Sequence, residues 1–261
     1  MKMIRYVAMA VLSLACMQAK AMKFEKELWT ADEHEVVTPH LFASFLYFAL
    51  PTQAWYMDAL KGRLVTRSEF VEFAESFVSA TYTTFIYSYR EGSETKSRIY
   101  YARSGSMGAR ANLPAMRGSF ESYFPGDGME VRSHIPFGER SRIRFSPVEG
   151  DDRPDARRND AEFNAVRTIE RDIIAGRVRP GGVVRAYVSR PMCTSCESAV
   201  RSFAEMYDVD VRVNYIEGRD SRIQNWLRRR FWRFADTLYA QIGTDSAVRS
   251  SATTPPTDQP P

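Results

Sequence analysis

The second half of the chain alternates between helix-like and strand-like hydrophobic patterns. Apolar residues recur at helical spacing over residues 159–176, and apolar runs typical of strands occupy residues 181–190 and 208–217, with a second helix-like stretch, 193–207, between them. The apolar face of the first helix consists of Phe163, Val166, Ile169 and Ile173. Strands that alternate with helices need crossover connections, which produce a mixed or parallel sheet covered by helices. The pattern therefore predicts an α/β fold.

A β-hairpin is predicted before this alternating region. Residues 81–90 (TYTTFIYSYR) and 96–105 (KSRIYYARSG) are β-branched and aromatic runs, and the short segment EGSET separates them. Residues 129–138 and 141–147 add two shorter strand-like runs, with FPGDG as a turn. The sheet should therefore contain more strands than the alternating region supplies.

The remaining parts of the chain predict helices and a polar tail. Residues 22–65 are rather apolar and predict helix, and their eleven-residue run HLFASFLYFAL is too short to span a bilayer, which indicates a buried helix. A capping box at residues 66–69 begins another helix. Residues 219–241 predict a last helix, and the Pro/Thr-rich end of the chain cannot build a core.

The first 21 residues have the outline of a signal peptide. Lys2 and Arg5 precede a short apolar stretch, and Ala19 and Ala21 supply the small residues of a cleavage site. Acylation of Cys16, as in a lipoprotein, is the alternative. We therefore expect an exported protein, periplasmic or secreted, that is organised as residues 1–21 (signal peptide), 22–90 (N-terminal helical region of unknown role), 91–243 (main domain) and 244–261 (disordered tail).

Composition and charge are those of a globular protein without a broadly basic surface. Hydrophobic residues make up 44% of the chain and aromatic residues 13%, which argues against general disorder. Removal of the predicted signal peptide takes away three basic residues and no acidic ones, which leaves 33 basic against 32 acidic residues and a net charge of +1. Binding to a nucleic acid would therefore have to use a local basic cluster.

The candidate chemistry begins with two cysteines. Cleavage after Ala21 would leave only Cys193 and Cys196, and this Cys-x-x-Cys opens a predicted helix between two predicted strands. The positive end of a helix dipole lowers a thiol pKa, so the arrangement fits a thioredoxin-like redox pair. The second half of a thioredoxin-like domain is missing, however, because no hairpin pattern follows and no proline occurs between Pro191 and Pro255.

A zinc site is the second interpretation of these cysteines. Two thiolates at this spacing suit zinc, and a catalytic zinc site needs three protein ligands and an open position for water. The chain has three histidines, none of them in a ligand-like motif: His34, His40 and His134. Asp160, in the sequence Asp-Ala-Glu, is therefore the candidate third ligand, with His134 as a minor alternative. A purely structural interpretation competes, because Asn159 and Glu162 fit a helix capping box.

These residues resemble the zinc-dependent nucleobase deaminase superfamily. Residues 159–217, and within them the stretch SRPMCTSC, are similar to its bacterial branch of secreted or polymorphic-toxin deaminases. In this superfamily a His-x-Glu motif begins one helix and a Pro-Cys-x-x-Cys motif begins the next, across an intervening strand. The resemblance implies a cytidine-deaminase-like mixed sheet covered by helices over residues 91–243, with the strands near 81–103 as sheet partners.

The resemblance also implies the roles of four residues. Asp160, Cys193 and Cys196 would hold Zn²⁺, with water in the fourth position, and Glu162 would move protons from that water to the ring nitrogen and the departing ammonia. The implied substrate is cytosine or adenine, as a free base, nucleoside, nucleotide or part of a nucleic acid. The expected protein is an enzyme, a hydrolase acting on the C–N bonds of amidines, and an exported bacterial toxin or effector with an immunity protein as a further partner.

Three features depart from the superfamily pattern. Asp160 replaces the ligand histidine, Met192 separates Pro191 from Cys193, and no strand is predicted after the last helix. A carboxylate ligand lowers the positive charge at the metal, which would weaken the activation of bound water. Two alternatives therefore remain beside a deaminase: a catalytically inactive binding protein on the same scaffold, and an exported thioredoxin-like thiol–disulfide protein.

The predicted helix over residues 219–241 carries the local basic cluster. Its arginines are interspersed with Trp and Phe residues, and such side chains can contact phosphates and stack on bases. Arg228, Arg229 and Arg233 fall mainly opposite the apolar stripe and are the candidate nucleic-acid contacts. The simpler interpretation is an amphipathic helix with solvated arginines, and a surface for an immunity protein or for membrane headgroups is a third. No stable membrane span is predicted, and delivery into another cell would reconcile export with a nucleic-acid target.

Overall fold

The computed structural model describes most of the predicted α/β region. The described residues are 23–29, 34–61, 77, 79–105, 121–134, 141–144, 159–216, 229, 233, 237 and 240. The elements are β1 (Phe24–Trp29), α1 (His34–Lys61), β2 (Tyr82–Glu91), β3 (Glu94–Arg103), a 3-10 helix (Glu121–Tyr123), β4 (Glu130–Arg132), α2 (Ala161–Ile174), β5 (Val183–Val188), α3 (Thr194–Tyr207) and β6 (Asp210–Ile216).

These six strands form one mixed sheet in the order β1-β6-β5-β2-β3-β4. β6 pairs in parallel with both β1 and β5, and β4 pairs in parallel with β3. β2 is antiparallel to β5 and to β3, with which it forms the predicted hairpin. α3 provides the crossover that parallel neighbours β5 and β6 require. The predicted α/β class, a mixed sheet with helices, is confirmed.

Helices cover both faces of this sheet. α1 packs on one face through a buried cluster that includes Leu41, Phe45, Phe48, Tyr82 and Tyr101. α2 and α3 pack on the other face through a second cluster that includes Val166, Ile169, Val184, Phe203 and Val213. Side chains along a strand alternate between the faces, so β5 contributes to both clusters. α2 and α3 therefore lie beside each other on one face of the sheet.

The N-terminal region contains both the predicted helix and an unpredicted strand. α1 runs through Pro51 without ending, although proline removes one backbone donor from the helix. Residues 24–29, which the sequence pattern placed in helix, form β1 instead. The sequence predicted a boundary between an N-terminal region, 22–90, and a main domain, 91–243. β2 runs across residues 90 and 91, so the sheet contains strands from both sides of this boundary. Within the described part of the chain, no helix is long and apolar enough to cross a membrane.

Contacts with distant parts of the chain explain why β1 is a strand. The Nζ atom of Lys26 lies 2.5 Å from Glu197 of α3. The Arg201 guanidinium lies 4.4 Å from the ring centroid of Phe24, and Nε1 of Trp29 donates to Oδ1 of Asn214 at 2.7 Å. Packing against neighbours decides strand formation more than local preference does. β1 thus occupies the sheet edge beside β6, where no strand was predicted.

Several shorter predictions have mixed outcomes. The run at 129–138 yields strand β4 over Glu130–Arg132. Residues 141–144, at the start of the other short run, are not in a strand. Four positions of the predicted last helix are described, and all four are helical: residues 229, 233, 237 and 240. The predicted signal peptide, the capping box at 66–69 and the C-terminal tail lie outside the described residues.

A buried carboxylate joins the C-terminal half of α2 to β3. Asp172 has no exposed surface. Its Oδ2 accepts from Nη1 of Arg98 at 2.7 Å and from the Tyr100 hydroxyl at 2.9 Å, and its Oδ1 accepts from Nε of Arg177 at 2.8 Å. A buried charge is tolerated when it is paired and hydrogen-bonded in this way. The network therefore fixes how α2 lies on the sheet.

A glycine before β5 is required by a close approach of two backbones. A Cβ atom at Gly182 would lie 2.4 Å from the carbonyl oxygen of Ser88 and 2.7 Å from the Tyr87 ring. Because overpacking of this kind forces backbone shifts, Gly182→Ala should lower the free energy of unfolding by about 1–3 kcal/mol. Urea denaturation would measure it, with Gly126→Ala as the control because nothing lies within 4 Å of a Cβ there. Equal stability of the two variants would contradict the prediction.

Candidate metal centre

The N-termini of α2 and α3 position the candidate ligands. Asp160 is the N-cap residue of α2, and Cys193 is the N-cap residue of α3. The segment before α2 is held at the end of β3, because the Gly105 amide donates to the Asn159 carbonyl at 3.1 Å. The end of β5 is held to β2 by a bond from the Ser189 amide to the Tyr82 carbonyl at 3.1 Å. The sheet thus brings the two helix N-termini to a common place.

The three predicted ligands meet there. The Sγ atoms of Cys193 and Cys196 lie 3.7 Å and 3.3 Å from Oδ2 of Asp160, and 3.1 Å from each other. Asp160 and Cys193 are partly exposed, whereas Cys196 is buried. Both cysteines are free thiols, since a disulfide would bring the sulfurs to about 2.05 Å. The site therefore combines two buried or half-buried thiols with a carboxylate that solvent can reach.

The donor set fits a tetrahedral zinc ion. Zinc–sulfur distances of about 2.3 Å and zinc–oxygen distances of about 2.0 Å would separate the two sulfurs by about 3.8 Å and each sulfur from the oxygen by about 3.5 Å. The observed separations are 3.1 Å between the sulfurs and 3.3 Å and 3.7 Å between sulfur and oxygen. Small side-chain movements would bring these atoms to the zinc-bound distances. Three protein ligands leave the fourth tetrahedral position open. No histidine joins this group among the described residues.

The competing structural interpretation of Asn159 and Glu162 is wrong. The N-cap residue is Asp160 rather than Asn159, and the Asp160 side chain makes no capping hydrogen bond to the helix. A capping box would need a side chain at the N-cap position to accept from the first turn. The Asp160 carboxylate lies against the thiols instead. The Asp160 side chain therefore does not cap α2 and is available to the group formed with the two cysteines.

Glu162 lies beside the three candidate ligands and is buried. The residue is 4% exposed. The Cys196 thiol is a hydrogen-bond partner of its carboxyl group. Burial raises the pKa of Glu162 to about 7; the charges of Asp160 and Cys193 act in the same direction, whereas hydrogen bonds from its own amide and from Cys196 oppose it. A carboxyl group in this state can both accept and release a proton near neutral pH.

The two thiols have different surroundings. Cys193 Sγ accepts from the Cys196 amide at 3.4 Å and lies 3.0 Å from the Ser195 hydroxyl. The hydrogen bond with Cys193 and burial both raise the pKa of Cys196 above its usual value. Ser195 is a residue that the sequence analysis missed. The available signal was a serine between the two cysteines, in the first turn of the helix that Cys193 caps.

The other predicted residues lie elsewhere or outside the described part. His40 stacks on Tyr187 with ring centroids 3.9 Å apart, on the α1 face of the sheet. His134 follows β4 and is not a member of the ligand group. Arg229 and Arg233 are helical and exposed, whereas Arg228 and the His34 side chain are not described. Met192, which interrupts the motif, packs against the core cluster beneath α2 and α3.

Comparison with known proteins adds no identification. No protein-family model, no curated protein and no solved structure matches this chain.

Proposed function

We propose that this protein binds Zn²⁺ through Asp160, Cys193 and Cys196 and removes the amino group of a nucleobase by hydrolysis. One observation carries the proposal. Three side chains of types that can hold a metal converge from two helix N-termini, with ligand atoms within 4.8 Å of one another, and the carboxyl group of Glu162 is buried beside them. A zinc deaminase needs this combination, with two thiolates, a third ligand and a carboxyl group that shuttles protons without binding the metal.

The arrangement of the elements also supports the resemblance to the deaminase superfamily. The Asp-x-Glu motif begins α2, the Cys-x-x-Cys motif begins α3, and β5 lies between them in the chain. Both helices pack on the same face of a mixed sheet. No strand was predicted after the last helix, and β1, from the N-terminal region, occupies the sheet edge beside β6. These features support a cytidine-deaminase-like fold.

The proposed reaction replaces the exocyclic amino group of cytosine or adenine with oxygen. Water adds to the amidine carbon, the C–N bond breaks, and ammonia leaves. The zinc ion, when bound, would supply a Lewis acid that makes its water more acidic. Asp160, Cys193 and Cys196 would hold the ion in place. Glu162 would accept the proton of the water and deliver protons to the ring nitrogen and the leaving group. Its burial keeps bulk solvent away from those transfers.

The wider setting follows from the sequence and is proposed with it. The outline of a signal peptide supports export, periplasmic or secreted, and the resemblance to toxin deaminases supports an effector delivered to another cell and neutralised by an immunity protein. Exposed Arg229 and Arg233 leave two guanidinium groups available to phosphates, which supports a nucleotide or nucleic acid as substrate. The substrates to be tested should therefore include nucleic acids as well as nucleosides.

Zinc content is the first test. The full chain, purified under reducing conditions, should contain about one zinc ion per chain, because three ligands are already in place. Asp160→Ala and Cys193→Ser should lose it. Asp160→His restores the imidazole of the superfamily motif and should retain zinc, which separates loss of a ligand from general damage to the fold. Metal analysis by mass spectrometry after dialysis measures all four proteins.

Deamination is the second part of the test. Ammonia release should be assayed with cytidine, adenosine, single-stranded DNA and single-stranded RNA. Zinc in the expected variants together with ammonia from one of these substrates would establish the proposed function. Absence of metal together with a Cys193–Cys196 disulfide in air would overturn it and favour a thiol–disulfide protein. Bound zinc with no ammonia from any substrate would favour an inactive binding protein.

A further inference from the structure

Ser195 places a neutral hydroxyl group against the sulfur of Cys193. The Ser195 side chain is in the first turn of α3 and is 1% exposed. Its Oγ lies 3.0 Å from Cys193 Sγ, which also accepts from the Cys196 amide at 3.4 Å. Both sulfurs lie against Asp160 and each other, and the Cys196 sulfur lies in addition against the Glu162 side chain. The first cysteine is therefore more heavily hydrogen-bonded by neutral donors than the second.

The direction of the bond from Ser195 depends on the state of Cys193. Either atom can donate when the cysteine is a thiol. A cysteine that binds a metal is a thiolate and has no proton to give. Only the serine hydroxyl can then donate. Hydrogen bonds to a charged acceptor are roughly twice as strong as bonds between neutral groups, so metal binding would turn this contact into a strong one.

The charge of the ligand set explains why such a donor would matter here. Asp160, Cys193 and Cys196 carry three negative charges when deprotonated, one more than a set of one histidine and two cysteines. The additional negative charge makes bound water less acidic. A hydrogen bond to a thiolate draws electron density from the sulfur and reduces what it donates to the metal. Ser195 and the Cys196 amide both act in this direction on Cys193.

We propose that Ser195 is a positioning residue that tunes the metal site, because its hydroxyl donates to the Cys193 thiolate and offsets part of the negative charge that Asp160 adds. This inference rests on the proposed zinc site. In this role the serine acts on the metal through Cys193 and not as a ligand. It orients Cys193 and weakens the donation of charge from that sulfur.

The test compares Ser195→Ala with the unmodified full chain in metal binding and in spectroscopy. Ser195→Ala removes the bond that orients Cys193 and stabilises its thiolate, so zinc affinity should weaken about 10- to 100-fold, measured by competition with a chelator. With Co²⁺ in place of zinc, the sulfur-to-cobalt charge-transfer band should shift to lower energy, since a thiolate without its donor is easier to oxidise. Ser195→Thr keeps the hydroxyl and should keep the band of the unmodified protein.

Ser198→Ala is the matched control. Ser198 is on the same helix, half-buried at the edge of a surface pocket lined also by Glu197 and Arg201, so its loss should change neither affinity nor spectrum. If Ser195→Ala behaves like this control in a protein that binds zinc and cobalt, the inference about Ser195 is wrong and the zinc site stands. If the unmodified protein binds neither ion, the proposed function itself fails.

Discussion

Glutamine in place of Glu162 is expected to abolish deamination and leave zinc in the protein. Glutamine has nearly the same shape but cannot take up the proton of the water, and a positioned acid–base group contributes about 10²- to 10⁴-fold to a rate. Zinc should remain because the proposed ligands are Asp160, Cys193 and Cys196, whose donor atoms converge without Glu162. The rate of ammonia release and the metal content, measured on the same preparation, test both halves of the expectation.

The control for this variant is an equivalent change on the neighbouring helix. Glu205 is an exposed residue of α3, so Glu205→Gln should keep both zinc and activity. A Glu162→Gln protein that deaminates as fast as the unmodified one would show that the proton shuttle is another group. If Glu162→Gln keeps zinc and changes no measurable property of the protein, the inactive binding protein becomes the better explanation.

Asp172→Ala is expected to cause the largest loss of stability, about 3–5 kcal/mol in the free energy of unfolding. The carboxylate is fully buried and accepts hydrogen bonds from Arg98, Tyr100 and Arg177. The Arg98 side chain is only 12% exposed. Without Asp172 its guanidinium would remain in a largely dry environment with its main counter-charge removed, which is costly. Urea denaturation followed by circular dichroism measures the loss.

Asp127 offers the comparison for this prediction. Its side chain is 45% exposed, and its carboxylate lies 3.7 Å from Nη2 of Arg171. An exposed ion pair of this kind contributes about 0–1 kcal/mol, so Asp127→Ala should change stability little. Asp172→Asn keeps the shape and an acceptor oxygen and should fall between the two. A loss below about 1 kcal/mol in Asp172→Ala would mean that the network does not hold α2 to the sheet.

The sequence was sufficient for features that are local in the chain. The hairpin of β2 and β3, the helices α2 and α3 and the strands β5 and β6 each have a hydrophobic period that fits within one element. The spacing Cys-x-x-Cys places both sulfurs at one helix N-terminus, because residues three apart lie on the same face of the first turn. Asp160 lies close to these sulfurs because α2, which it precedes, packs beside α3.

Features that depend on distant contacts could not be predicted in this way. Residues 24–29 (FEKELW) do not alternate between apolar and polar positions and so have no local strand signal. They form β1 because β6, Glu197 and Asn214 are beside them. The sequence also could not decide whether the Asp-x-Glu segment caps its helix, because a cap and a metal site use the same residue types. The structure shows that the Asp160 carboxylate makes no capping bond and lies against the thiols.

The pairing of β1 with β6 has a consequence for the order in which the chain can fold. Glu25 and Arg212, which form an ion pair across these strands, are 187 residues apart in the sequence. In the described sheet β1 has no other strand partner, so it must remain unpaired until β6 has left the ribosome. Contacts of such long range close late and slow folding. A nascent chain with an incomplete sheet edge therefore stays unfolded for longer, and an unfolded chain is what the export proposed above would require.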